Sequence, residues 1–210
     1  MARKRSIETE ARIAEAATTL FCTLGYVDTT MAAIANAAGV SVQTLYLRHG
    51  SKAAILSAAL DVAIAGDAEP MSLTERGFFP RALAEEDAAT ALSIWAHGAR
   101  TICDRTHRLY DVIRSAAADP EVAHVLEKSR RDRSTGHRML AEVLGTRERY
   151  NQGVPVQRAA DVLYALGTED SYLLFVVDRG WTPDEWERWV IDTLSAQLLV
   201  PATGTRRRRS

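Results

Sequence analysis

At 210 residues, 47% apolar and 25% charged, the chain is long enough to bury a substantial core, and its composition excludes a wholly disordered protein. The net charge of −1 is unevenly spread: residues 1–60 hold six basic and four acidic side chains, residues 61–205 hold 16 and 23, and Arg206–Arg209 add four positive charges. A mildly basic head on an acidic body directs any polyanionic partner to one end of the chain, and the lack of any apolar run of about 18 residues excludes a membrane-spanning helix.

Apolar residues recur at helical spacing almost throughout, which predicts an all-α fold. The opening MARKRSIETEARI is basic, but charges interrupt its apolar residues, so no signal peptide and a cytoplasmic location are expected. Ile13, Ala16, Ala17, Leu20, Phe21 and Leu24 form the apolar stripe of a first helix that Gly25 ends. Cys22 lies within it; with Cys103 it makes neither a metal spacing nor a disulfide framework, so free thiols on apolar faces are expected. Thr30 is placed to cap a short second helix with Met31, Ile34, Ala35 and Ala38 inward, Gly39 closes it, and Ser41 caps a third helix through about Leu47. Ser51 caps a fourth, with Ile55, Leu56, Ala59, Leu60 and Ala63 on its internal face.

Residues 66–80, rich in glycine, proline and charge, read as a connection to a second unit. A long helical region follows to about Ala118. Asp119-Pro120 starts another helix that reaches Leu144 and is stopped by Gly145. TRERYNQGVP reads as a loop, Val156 to about Asp178 is strongly apolar, and TPDEW supplies a capping box of Thr182 and Glu185 with Pro183 at the first helical position. The last helix carries Trp186, Trp189, Val190, Leu194 and Leu198, and PATGTRRRRS is expected to be a disordered basic tail. The domains are therefore expected at 1–65 and 66–200, with 201–210 as the tail.

Two short helices joined by a tight glycine turn and braced by a third are the ingredients of a helix-turn-helix, in which the second helix enters the major groove of double-stranded DNA. Ser41, Val42, Gln43 and Thr44 occupy the leading turn of that helix, where open backbone N–H groups favour phosphate. The amide of Gln43 matches the donor and acceptor of adenine, and Val42 and the Thr44 methyl suit a thymine methyl. Tyr46, Arg48, Lys52 and the Thr30 hydroxyl suit phosphate, which fixes register without reading sequence. Arg3, Lys4 and Arg5 are candidates for a flexible arm.

The segment TTMAAIANAAGVSVQTLYLRHGSKAAIL, Thr29 to Leu56, closely resembles the DNA-binding signature of the tetracycline-repressor-like (TetR) family, in its paired threonines, Ile34-Ala35, Ala38-Gly39-Val40-Ser41, Thr44-Leu45-Tyr46 and Ser51-Lys52. Two positions depart from the family pattern. Gln43 stands where a small residue or proline is usual, which alters base preference, and His49 stands where phenylalanine is usual, which changes packing between the third and fourth helices. The resemblance implies a ligand-responsive repressor that binds a palindromic operator as a homodimer and leaves it when a small-molecule effector binds the second domain.

The two apolar segments at 156–179 and 183–199 suit a four-helix interface with a symmetry mate, with Leu163, Leu166, Leu174, Trp186, Trp189 and Leu198 as candidates for either that interface or the monomer core. Trp95, His97, Tyr110, Arg114 and Tyr172 are candidates to contact a partly apolar effector. The sequence carries none of the nucleophile-elbow, phosphate-loop, dinucleotide or zinc-protease motifs, and His97, His107, His124 and His137 are scattered, so no enzyme, cofactor or metal site is expected. The alternatives are an activator or ligand-independent regulator with the same head and, from another class, a helical small-molecule-binding protein or enzyme.

Overall fold

The computed structural model describes residues 2–68 and 77–201, and these are helical apart from short turns and one isolated bridge between Tyr150 and Leu199. The expected connection falls largely, and the expected basic tail almost wholly, outside the described residues. The side chains of Arg3 and Lys4 lie outside them as well. No described helix is long and apolar enough to cross a membrane.

The head is built from α1 (Ala2–Asp28), α2 (Met31–Ala38), α3 (Val42–His49) and α4 (Lys52–Ala65). Helical geometry in α1 breaks at Gly25, with φ 79° and ψ 174°. The buried stripe of α1 is Ile13, Ala14, Ala17 and Phe21. Leu24, expected on that stripe, is exposed, because it falls in the last turn before the break. Thr29 is buried there instead, its hydroxyl donating to the Gly25 carbonyl at 2.7 Å.

Beyond the head come α5 (Phe78–Ala84), α6 (Ala88–Ser115), α7 (Pro120–Leu144), α8 (Val156–Leu166), α9 (Glu169–Tyr172) with a π-helical continuation Leu173–Asp178, and α10 (Pro183–Leu198). The long helical region expected to reach Ala118 is two helices. Asp87 breaks it, accepting from the Thr90 N–H and hydroxyl, each at 2.9 Å, as the cap of α6. These bonds hold the Asp87 carboxyl below the usual carboxylate range, with Arg149 assisting. Asp119 caps α7 through the N–H groups of Glu121 at 2.8 Å and Val122 at 3.4 Å.

The described residues belong to two compact units. One joins Met1–Leu73 with Thr101–Asp132, the other Thr74–Arg100 with Arg133–Ser210. In the first, Phe21, Ile34, Leu45, Ile55, Leu56, Leu109, Tyr110 and Ile113 are fully buried. The end of α4 is held there by Arg105, whose Nε and Nη2 each donate at 2.8 Å to the carbonyls of Ala63 and Ile64. In the second, Leu92, Leu140, Leu144, Leu163, Trp186, Val190, Leu194 and Leu198 are fully buried, and the loop after α7 pairs with the end of α10 through Asn151 N–H to the Leu198 carbonyl at 2.8 Å.

Candidate nucleic-acid interface

The turn between α2 and α3 is set by local chemistry. Thr30 caps α2 by accepting from the Ala33 N–H at 3.1 Å. Gly39 adopts φ 64° and ψ 39°, a left-handed conformation that side chains disfavour, and so lets the Val40 N–H return to the Ala35 carbonyl at 3.0 Å. Ser41 then starts α3, accepting from the Thr44 N–H at 3.1 Å, while the two hydroxyls meet at 2.7 Å. A cap with this short turn directs the two helices apart at once, and full burial of Leu45 fixes which face of α3 turns inward.

The opposite face is therefore presented to solvent. Val42, Gln43, Tyr46, Leu47 and Arg48 are exposed, Thr44 is half-buried, and Leu47 at 87% is the most open large apolar side chain among the described residues. Leu47 did not stand out in the sequence as a contact residue; its position two residues after the inward Leu45 is the signal that places it on the outer face. An apolar side chain left so open on a short helix suits contact with a thymine methyl or a sugar edge.

The cationic candidates are already engaged within the head. Arg48 pairs with the Glu10 carboxylate on α1, and His49 Nε2 lies 3.2 Å from the other Glu10 oxygen. One carboxylate thus ties consecutive residues of α3 to α1. Lys52 Nζ donates to the carbonyls of Tyr26 at 2.5 Å and Val27 at 3.3 Å and stands 4.2 Å from the centre of the Tyr26 ring. It fastens the start of α4 to the segment beyond the Gly25 break. Burial, reinforced by Asp119 and Glu121, raises the pKa of the Tyr26 hydroxyl. Of the eight candidates, Thr30 and Ser41 cap helices, Arg48 and Lys52 brace the head, Thr44 bonds Ser41, and Val42, Gln43 and Tyr46 stand on the outer face of α3.

The five effector candidates divide between the units. Tyr110 is buried and Arg114 exposed in the first. In the second, Trp95 is buried, Tyr172 is buried edge-on to Trp186 with centroids 5.3 Å apart, and His97 is exposed with Nδ1 3.2 Å from Glu187. Trp95 instead meets His137 edge-on at 5.4 Å, and His137 in turn meets Tyr164 at 5.7 Å. His137 shares its helix face with the buried Leu140, Ala141 and Leu144; the sequence showed it only as one of four scattered histidines. Among the described residues no cluster of histidine, cysteine or acidic side chains could hold a metal ion.

Residues 13–59 match the family model for bacterial regulatory proteins of the tetR family. No curated protein matches the sequence significantly. Solved structures are similar over nearly the whole chain. NalD of Pseudomonas aeruginosa, the secondary repressor of the MexAB-OprM multidrug efflux pump, is 18% identical with a TM-score of 0.69, covering 92% of this chain and 98% of its own. The fatty acid degradation regulator FadR of Bacillus halodurans is 15% identical with a TM-score of 0.68, over 89% and 94%. The SmeT–triclosan complex is 15% identical with a TM-score of 0.70, over 94% of each chain.

Proposed function

We propose, from the premise that this chain is a transcriptional regulator of the tetR family, that it is a homodimeric repressor of a near-palindromic operator and releases that operator when a small molecule binds its second unit. The observation that carries the reading is the outer face of α3, where Val42, Gln43, Tyr46 and Leu47 stand exposed on a helix pinned by Leu45. Two such helices, one per protomer, read two half-sites about one helical turn apart.

Dimerisation is supported by the apolar surface at the π-helical segment. Leu174 and Val177 are 51% and 54% exposed, beside a cluster in which Phe175 lies 4.6 Å from Trp181 and 4.5 Å from Trp189. A small, partly apolar effector is supported by the likeness to a protein held with triclosan. Ligand and operator then act against each other reciprocally: a ligand that favours a dimer with wrongly spaced recognition helices lowers operator affinity, and operator lowers ligand affinity by the same factor.

The test is binding of the purified protein to the DNA upstream of its own gene against random duplex, at moderate salt. Preference for the upstream DNA is expected, and equal affinity for both overturns the reading. A reporter driven by that DNA, with and without the gene, separates repression from activation.

A further inference from the structure

Inside the second unit, His137 on α7 is 5% exposed, and its Nδ1 has no hydrogen-bond partner among the described residues. A buried polar atom left unpaired loses its bonds to water without replacement, so native interiors leave few of them. The ring is flanked by Trp95 of α6 and Tyr164 of α8, both edge-on. Gly167 lies against Trp95 so closely that a methyl there would come 2.0 Å from Trp95 Cη2. The absence of a side chain at the α8–α9 joint leaves the space that the tryptophan ring occupies.

The charge in this region is balanced internally. Arg133, one helical turn before His137, pairs with Glu169 at 2.8 Å, and both side chains are largely buried. Burial, with the Arg133 charge adding to it, pushes the His137 imidazole down to about 3, so it is neutral across the physiological range. A neutral imidazole can exchange a hydrogen bond with a hydroxyl, while a compensated ion pair leaves no net charge to attract a charged ligand.

We propose that this cluster binds a small uncharged aromatic alcohol, with its hydroxyl on His137 Nδ1 and its ring against Trp95 and Tyr164. The inference deepens the ligand-released reading by naming the chemical class of the effector. It rests on that reading for its regulatory consequence alone; binding itself is decided separately.

The experiment is calorimetric titration of the full chain with 2-naphthol, its methyl ether 2-methoxynaphthalene, 2-naphthoate and 2-naphthylmethylammonium. The phenol is expected to bind, the ether about tenfold more weakly because it leaves the imidazole unpaired, and the two ions more weakly still. His137→Phe, its fold checked by circular dichroism and thermal melting, should bring the phenol down to the level of the ether and leave the ether unchanged. Tyr164→Leu should weaken phenol and ether alike and keep the difference between them. Equal binding of phenol and ether by the unaltered protein, binding of neither, preferred binding of an ion, or a phenol preference that survives His137→Phe each overturns the proposal. Fluorescence anisotropy of labelled operator with the same compounds keeps the two readings apart. His137-dependent phenol binding that leaves the operator bound upholds this site and defeats the ligand-released reading; release by the phenol at a concentration unchanged in His137→Phe does the reverse.

Discussion

Gln43 stands exposed on the first turn of α3, and it is the one side chain there whose amide can present a donor and an acceptor together to a base edge. Gln43→Ala is expected to relax preference at one base pair in each half-site by about 1–3 kcal/mol while leaving affinity for random duplex unchanged, as read by competition binding with single-base operator variants. His137 makes a prediction of the opposite kind, about stability. Its pKa is about 3 in the folded chain against 6.5 for the ordinary group, so as pH falls below 6.5 the unfolded chain takes up a proton that the folded chain refuses. Stability attributable to this residue is complete above that pH and declines toward pH 3, at a limiting slope of about 1.4 kcal/mol per unit. Denaturant melts of the protein and of His137→Phe at pH 7 and pH 5 should show the larger decline in the unaltered protein. The residues legible in the sequence are those with local roles: Thr30, Ser41 and Ser51 are seen to accept from the N–H three positions on, at 3.1, 3.1 and 3.2 Å. The brace of Arg48 on Glu10 joins residues 38 positions apart and that of Lys52 on Tyr26 joins residues 26 apart. No periodicity encodes such pairs, so two side chains read as phosphate contacts turn out to have partners inside the head.

Among the elements, α10 has the most completely specified start. Thr182 accepts from the Glu185 N–H at 3.2 Å, and its own N–H and hydroxyl donate to the Glu185 carboxylate at 2.7 and 2.8 Å. The Glu185 pKa is lowered, first by the bond from the Thr182 backbone and then by that from its hydroxyl. Thr182→Ala removes the cap and should destabilise the protein by about 1 kcal/mol in urea melts, with no change in the slope of the transition. This start is legible because capping chemistry is written within four consecutive residues. Breaks were harder to read. Asp87 ends a stretch whose apolar spacing runs on regardless, and the strongly apolar 156–178 segment is interrupted at Gly167-Thr168 before it winds into a π-helical turn. Hydrophobic pattern reports which face is buried; it carries no information on whether one hydrogen-bonded ladder serves the whole run.

For the molecule as a whole, burial sorts the apolar residues that sequence left undivided. Leu163, Trp186 and Leu198 are fully buried in the second unit, Leu166 and Trp189 are intermediate, and Leu174 faces solvent. For the proposed dimer, Leu174→Glu, at a side chain half exposed in the single chain, should give a monomer in sedimentation velocity and weaken operator binding with the fold unchanged by circular dichroism. On the DNA-binding reading proposed above, Glu10 carries a consequence for how the head meets a duplex. Because Arg48 already has an anion, an arriving phosphate gains it only by exchange, and the carboxylate it displaces must be rehydrated. Glu10→Gln should then tighten binding to any duplex, cognate or not, and steepen its dependence on the logarithm of salt concentration by about 2 for a dimer, one counterion for each guanidinium released. An acidic residue on the first helix would in that case set a threshold that keeps the protein off bulk chromosome, leaving residence to the sites where α3 also finds its bases.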